Sequence, residues 1–227
     1  MKRFVPLLLL VSLFVVTASA TTLRRFTLEE VRDRAESIFV GRVVSSSVRP
    51  VVNGQLVATD YTIEVQEVLA GKVAATTTVT YLGGKQGQYD MGVAGSPILE
   101  SGGTYLFFRI GQPNNTTVGW GQGLYRVQTV QVGNETRTLL LSGDGEPLRM
   151  VDGKLSRGER MLVRDGALVK MASEPATADG KNTNGVATNY DGSPARAVRA
   201  VAAAAAPTGA FATLDDVRSF VRAGGAR

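Results

Sequence analysis

The chain has 227 residues, of which 44% are hydrophobic and 20% charged, and it contains neither cysteine nor histidine. This composition suits one globular domain with extensions, while the two missing residue types exclude disulfides, thiolate nucleophiles, histidine triads and Cys- or His-ligated zinc. The formal net charge is +5; removing residues 1–20 takes two of the 25 basic residues and none of the 20 acidic ones, which leaves +3. So small a charge, spread along the chain, predicts no nucleic-acid partner.

The N-terminus has the three-part layout of a secretory signal peptide. Met1–Arg3 is basic, Phe4–Val16 is an apolar run, and Ala18–Ala20 offers a small-x-small cleavage site. The run is shorter than the roughly 20 residues that span a bilayer. We therefore expect cleavage after residue 20, export to the periplasm or the medium, and no membrane anchor on a mature chain that begins at Thr21.

A short helix is the first element predicted after this leader. Thr27 can cap its start, and Glu29 and Glu30 stand in the first turn, where carboxylates are stabilised by the helix dipole. The pattern predicts that the helix ends at about Glu36.

Strand patterns follow, most of them bounded by glycine-containing turns such as Asn53-Gly54. The candidates are Ile38–Val44, Tyr61–Val65, Thr76–Leu82, Thr104–Ile110, Gly123–Val132, Thr136–Leu141, Leu148–Val151 and Met161–Met171. Many short strands with few helices indicate a mainly β protein. We expect the first five or six strands to close a small antiparallel barrel like the oligonucleotide-binding (OB) fold, with added C-terminal hairpins, within a domain of residues 21–171.

The composition changes after Met171. Residues 172–210 hold 13 alanines among 39 residues and almost no large apolar side chain, which predicts a flexible, disordered linker. Residues 211–227 then carry a second helix start at Thr213, with an apolar face that begins at Leu214. This terminal helix either docks on the barrel, which we favour, or serves as a recognition peptide.

The order of motifs resembles a known family. It runs from the short helix to Ile38-Phe39-Val40-Gly41-Arg42-Val43-Val44, then Tyr61–Lys72, Val79-Thr80-Tyr81, and Gly102-Gly103-Thr104-Tyr105-Leu106-Phe107-Phe108. This pattern, over about residues 27–130, is similar to the netrin-type module, the OB-like barrel of the tissue inhibitors of metalloproteinases, in a cysteine-free, secreted bacterial form. The resemblance implies a secreted protease as one class of partner. Those inhibitors bind zinc through an N-terminal cysteine, whereas Thr21 stands here, so no metal ligand carries over.

Three surfaces are candidates for binding a protein partner. The first is the N-terminal arm, with Thr21, Arg24 and Arg25; the second is the long loop 83–98, with Tyr89 and Met91; the third is Trp120 among glycines. Each also has a purely structural interpretation: Trp120 can plug one end of the barrel, and the loop can fold over its mouth.

An enzyme without Cys or His would depend chiefly on carboxylates. Glu29-Glu30 and Asp215-Asp216 are explained as helix starts, Glu64 and Glu67 point to opposite faces of a strand, and Asp144–Glu146 is typical of a turn rather than a calcium loop. We therefore predict a non-enzymatic binding module without metal or cofactor. The alternatives are a carboxylate-dependent hydrolase of envelope polysaccharide and a structural or tethering protein.

Overall fold

The computed structural model describes residues 24–51, 54, 56–164, 166–170 and 209–225. The predicted signal peptide, Thr21 and the predicted linker up to residue 208 lie outside these described residues. Among the described residues, no helix is long and apolar enough to cross a membrane.

The first helix, α1, spans Leu28–Arg34. Thr27 caps it as predicted: its hydroxyl accepts a hydrogen bond from Glu30 N at 3.1 Å, and Glu30 Oε2 accepts one from Thr27 N at 2.9 Å. Leu28 and Val31 are buried on one face. Ala35 is already extended, so the helix ends just before the first strand.

Thirteen strands are assigned within the described residues. In chain order they are β1 Ser37–Val51, β2 Leu56–Ala70, β3 Thr76–Leu82, β4 Gly84–Gln86, β5 Tyr89–Met91, β6 Thr104–Arg109, β7 Leu124–Val132, β8 Glu135–Ser142, β9 Leu148–Val151, β10 Lys154–Arg157, β11 Met161–Arg164, β12 Ala167–Lys170 and β13 Ala210–Phe211. A 3-10 turn spans Trp120–Gly123, and a second helix, α2, spans Leu214–Ala223. The predicted loop 83–98 contains the short hairpin β4–β5, so its description as a loop alone was wrong.

The large sheet has the order β11-β12-β7-β6-β1-β2-β3, with β8 paired to β7; β10-β9-β13 and β4-β5 form two smaller sheets. β1 and β2 make a hairpin that pairs from Ile38↔Ala70 to Val51↔Leu56. The prediction stopped the first strand at Val44, yet pairing with β2 continues through the polar residues that follow. The ladder with β2 satisfies the backbone groups on one side only, since β6 pairs with β1 only from Ser37 to Arg42, and the side chains remain largely in water.

The mainly β class is confirmed, but no sheet of the described residues closes into a barrel. The free edge of β3 meets residues 114–116 through an isolated Tyr81↔Asn115 bridge and a 3.0 Å bond from Thr80 N to Thr116 Oγ1. These single bonds take the place of a closing strand. The pairs among β1, β2, β3, β6, β7 and β8 are all antiparallel, and β12 of the C-terminal hairpin adds one parallel pair to β7.

The core occupies both faces of the large sheet, because apolar side chains alternate along its central strands. In β6, Leu106 and Phe108 belong to one cluster, whereas Tyr105 and Phe107 belong to the other. The first cluster packs against α1 and α2, and we call this side the helix face. The opposite side, which we call the cleft face, carries the candidate site.

The C-terminal segment 209–225 docks on the helix face. Val217 and Val221 of α2 are buried there, and β13 pairs with β9. Gly209 and Ala210, which the sequence analysis assigned to the linker, belong to this docked segment.

Candidate binding clefts

A short ridge, Gly95–Ile98, separates two clefts on the cleft face. The large cleft has a volume of about 810 Å³ and the small cleft about 430 Å³, and the ridge lines both. Two hydrogen bonds position the ridge: Ser96 Oγ donates to Leu82 O at 2.6 Å, and Ser96 N donates to Val93 O at 3.0 Å. Just beyond it, Glu100 N donates to the Tyr105 hydroxyl at 2.9 Å. The ridge is therefore tied to β3 at one end and to β6 at the other.

Strand residues and loops together line the large cleft. Its apolar lining comes from the ridge, β6, β7, β8 and β11, and comprises Pro97, Ile98, Tyr105, Leu124, Leu141, Met161, Leu162 and Val163. Ile98 is 60% exposed and Leu162 is 41% exposed. The cleft therefore presents apolar side chains to water, which is favourable for a ligand that can cover them.

Charged groups in the large cleft are paired within the protein. Arg126 donates two hydrogen bonds to the Glu100 carboxylate, at 2.6 and 2.5 Å, in a bidentate pair. Arg25 donates one to Glu146 Oε2 at 2.6 Å. Because positive and negative groups neutralise each other here, the lining selects no strongly charged ligand.

The N-terminal arm reaches the large cleft because two side chains hold its backbone. The Gln122 side-chain amide accepts a hydrogen bond from Phe26 N and donates one to Arg24 O, both at 2.8 Å. The amide thus bonds to the backbone of the arm in the way that a neighbouring β-strand does. The Arg157 guanidinium donates to Phe26 O at 2.6 Å and to the Tyr125 hydroxyl at 3.1 Å. These bonds place Arg25 at the rim of the cleft.

The small cleft lies between the ridge, the β4–β5 hairpin and the side chains of Thr59, Tyr61 and Tyr81. The Tyr81 hydroxyl donates to Thr117 Oγ1 at 3.3 Å, and burial raises the pKa of Tyr81 well above its usual value. A Cβ atom on Gly84, which has φ +134°, would lie 2.5 Å from the Thr59 hydroxyl oxygen. Gly84 therefore permits the close approach that makes this cleft narrow.

The structure brings two of the predicted site residues to the clefts, on opposite sides of the ridge. Arg25 lines the large cleft and Met91 lines the small one. The backbone of Tyr89 lies in β5, and Thr21 lies outside the described residues.

Two other predicted site residues line neither cleft. Arg24 pairs with Glu30 and stacks on the Phe26 ring at 5.4 Å, so its charge is used within the arm. Trp120 is half-buried with φ +61°, and its carbonyl accepts a hydrogen bond from the Thr117 hydroxyl. The glycines beside it, Gly119 and Gly121, do line the large cleft.

Sequence reasoning missed the residues that shape the large cleft most. Ile98 follows a proline at the end of a glycine-rich loop, and such an apolar residue in a polar segment was a usable signal. Leu162 and the Glu100–Arg126 pair carried no comparable signal, because only the tertiary fold brings β7, β11 and the ridge together.

The three carboxylates of the large cleft, on Glu100, Asp144 and Glu146, face arginine partners. Asp144 lies 4.0 Å from Arg160, a longer contact than the other two. Among the described residues, no group of three carboxylates is placed to hold a metal ion. The arrangement is suited to binding an uncharged, partly apolar ligand.

No family model, curated protein or solved structure matches the chain. The resemblance to netrin-type modules therefore stays a prediction.

Proposed function

We propose that this chain is an exported, non-enzymatic binding protein whose large cleft receives an apolar segment of a protein partner. The observation that carries this proposal is the exposure of Ile98 and Leu162 in one cleft of about 810 Å³. Five large hydrophobic residues of the described chain are exposed, and these two share that single concave surface. Apolar side chains gathered in a concavity are typical of sites that a partner covers.

The chemistry of the lining supports an uncharged stretch of polypeptide as the ligand. The Glu100–Arg126 and Arg25–Glu146 pairs supply hydrogen-bonding groups without net charge. Peptide N–H and C=O groups can bond to such pairs, while one or two apolar side chains fill the cleft.

A secreted protease is the partner class that the netrin-type resemblance adds. The isolated Tyr81↔Asn115 and Arg109↔Thr117 bridges support a barrel-like course of the chain between β3 and β6, as in an OB-like fold. With Thr21 in place of a cysteine, inhibition in this proposal would use the cleft rather than a zinc ligand.

The hydrolase alternative draws on Glu100 and Glu146, which line one cleft from separate segments. Each carboxylate already accepts hydrogen bonds from an arginine, whereas a general acid must offer a proton to the substrate. Release of reducing ends from cell-wall polysaccharide, abolished by Glu100→Gln, would favour the hydrolase over the binding module.

The test is a pull-down from the exported protein fraction with residues 21–227 as bait. Ile98→Asp and Leu162→Asp each place a charge in the large cleft at an already exposed position. Val44→Asp is the matched control, because Val44 is 44% exposed and lines neither cleft. We expect a set of proteins captured by the wild type and by Val44→Asp but lost with both cleft variants.

The proposal fails if the cleft variants capture the same proteins as the wild type, or if no bait captures anything. Circular dichroism of each bait separates a lost ligand site from a lost fold. Adding a synthetic peptide from a captured protein should compete for the cleft of the wild type.

A further inference from the structure

The C-terminal segment 209–225 is held in the way that a bound peptide is held. β13 adds a strand to β9 with the pairs Ala210↔Met150 and Phe211↔Arg149, and Ala212 N donates to Leu148 O at 3.0 Å. Strand addition of this kind supplies main-chain hydrogen bonds, and these bonds form whether or not the added strand belongs to the same chain.

Side chains add specificity on the β13 side of this contact. Arg149 Nη1 donates to Gly209 O at 2.7 Å, and its guanidinium lies 4.0 Å from the centre of the Phe211 ring. The Arg149 side chain therefore recognises both the backbone and the aromatic ring of the segment.

The α2 side of the contact combines an apolar face with a two-point ion pair. Val217 and Val221 are buried in the helix-face cluster. Arg218 donates to both oxygens of Glu67, each at 2.7 Å, and Arg32 lies 4.7 Å from the centre of the Phe220 ring. An amphipathic helix in a groove with charged contacts beside it is a common mode of peptide recognition.

All of these receptor residues precede the connection to the segment. They lie between Leu28 and Leu155, whereas the segment begins at Gly209, after the 38 residues 171–208. A connection of that length can extend to more than about 100 Å at 3.3–3.6 Å per residue. The covalent chain therefore permits the segment to reach the same receptor site on another molecule.

We propose that segment 209–225 also docks on a second copy of this chain, by reciprocal exchange, and so links two molecules. Each copy then completes the partner's β9–β10 sheet with its own β13 and covers the partner's helix face with its own α2. The contacts are the same in both arrangements, so the balance depends on how the protein concentration compares with the effective concentration of the segment within its own molecule. Exchange therefore increases with protein concentration.

The test uses two charge reversals in residues 21–227, Glu67→Arg and Arg218→Glu. Each variant alone places like charges at the contact when its segment docks in the same molecule. In a 1:1 mixture, reciprocal exchange creates two docking sites. One site holds the native Glu67–Arg218 pair, and the other pairs the two substituted side chains, which are also opposite in charge. We expect the dimer fraction, measured by native mass spectrometry, to be roughly ten-fold higher in the mixture than in either variant alone, since partly exposed pairs contribute modestly.

The double variant Glu67→Arg/Arg218→Glu is the matched control, because it restores opposite charges within one molecule and should form no more dimer than the wild type does at the same concentration. A mixture that remains monomeric while both single variants are folded by circular dichroism overturns the proposal.

A second test does not depend on the ion pair and uses the absence of cysteine from the chain. Met150→Cys and Ala210→Cys are introduced in separate molecules of different mass; these positions are paired across β9 and β13, where Cα atoms lie within disulfide range. Exchange predicts a disulfide between the two masses after mild oxidation. If Ala223→Cys, at the exposed end of α2, gives as much cross-linking with Met150→Cys as Ala210→Cys does, the docked exchange is refuted.

Discussion

The two helices of the described chain begin with nearly the same six residues but hold different positions in the fold. Thr27–Arg32 and Thr213–Arg218 both read Thr-Leu-acid-acid-Val-Arg, and both form a capping box. Val31 and Val217, at equivalent positions, are both fully buried on the helix face. The local sequence determines the helix start and the buried valine in each case.

The difference lies in what each helix is connected to. α1 leads within three residues into β1, and Glu36 N donates to Arg109 O at 2.8 Å, so the helix is continuous with the central sheet. α2 is joined to the rest of the chain by β13 and the residues before 209. We therefore expect the same local motif to belong to the cooperative core in the first helix and to a separable docking element in the second.

The largest expected effect comes from placing a charge at the buried valine of each helix. An unpaired buried carboxylate costs several kcal/mol, on the order of 3–5. Val31→Asp should unfold the whole chain, whereas Val217→Asp should release segment 209–225 and leave the sheet folded. Hydrogen exchange of the β1 and β2 amides, with circular dichroism, measures the difference.

Ser219→Asp, on the exposed side of α2, is the control and should change neither measurement. If Val217→Asp removes protection from β1 and β2 as completely as Val31→Asp does, the two helices belong to one cooperative unit. The proposed separability of α2 would then be wrong.

An intermediate effect is expected from the helix caps. Thr27→Ala and Thr213→Ala each remove a hydroxyl that accepts a backbone N–H, at a typical cost of about 1 kcal/mol. Thr27→Ala should lower the midpoint of global thermal unfolding by a few degrees. Thr213→Ala should accelerate exchange of α2 amides while the global midpoint stays within error. Serine at either position should restore the wild-type behaviour, and a lowered global midpoint for Thr213→Ala would contradict the comparison.

The smallest effect is a pH dependence of α2 docking. Hydrogen bonds from Arg218 hold the pKa of the Glu67 carboxyl below its usual value of 4.5, against a smaller opposing effect of burial. The stabilisation is therefore complete above pH 4.5 and is lost as the pH falls through the lowered value in the folded state. Opening of α2, followed by hydrogen exchange, should increase by roughly two- to five-fold, because the pair is partly exposed.

Glu67→Gln removes this carboxyl group and should reduce the pH dependence of α2 opening, while the contacts of Arg218 with Asp215 and of Thr213 with Asp216 remain. α1 has no such link to Arg218 and should show no corresponding change. Equal acid sensitivity of both helices would assign the effect to general acid unfolding instead.

Caps, short strands and turns were predicted well, because neighbouring residues in the sequence determine them. The capping box at Thr27, the strand Thr76–Leu82 and the turn at Asp152-Gly153 all match the structure. The full length of β1 was not predictable from its own residues, because its polar half is extended only by pairing with β2. The expected closed barrel is not found in the described part of the chain, for a related reason. Barrel closure depends on whether the two edge strands of a sheet pair with each other, and the periodicity of single strands carries no information on that pairing.

The candidate site was predictable in parts. Loop 83–98 and the N-terminal arm, which the sequence predicts to be binding surfaces, reach the clefts through Met91 and Arg25, and their role in binding stays a prediction. Trp120 was selected for its residue type, and the structure places it outside both clefts, with the neighbouring glycines on the lining instead. Pairs such as Glu100 with Arg126 join residues far apart in the sequence and could be recognised only from the folded chain.

The hydrogen bonds between the Gln122 side-chain amide and the backbone of Arg24 and Phe26 affect where a tag can be attached. They fix the backbone of residues 24–26 beside the large cleft, which Arg25 lines. An affinity tag or a fluorophore joined directly to residue 24 would therefore be attached beside the proposed ligand site.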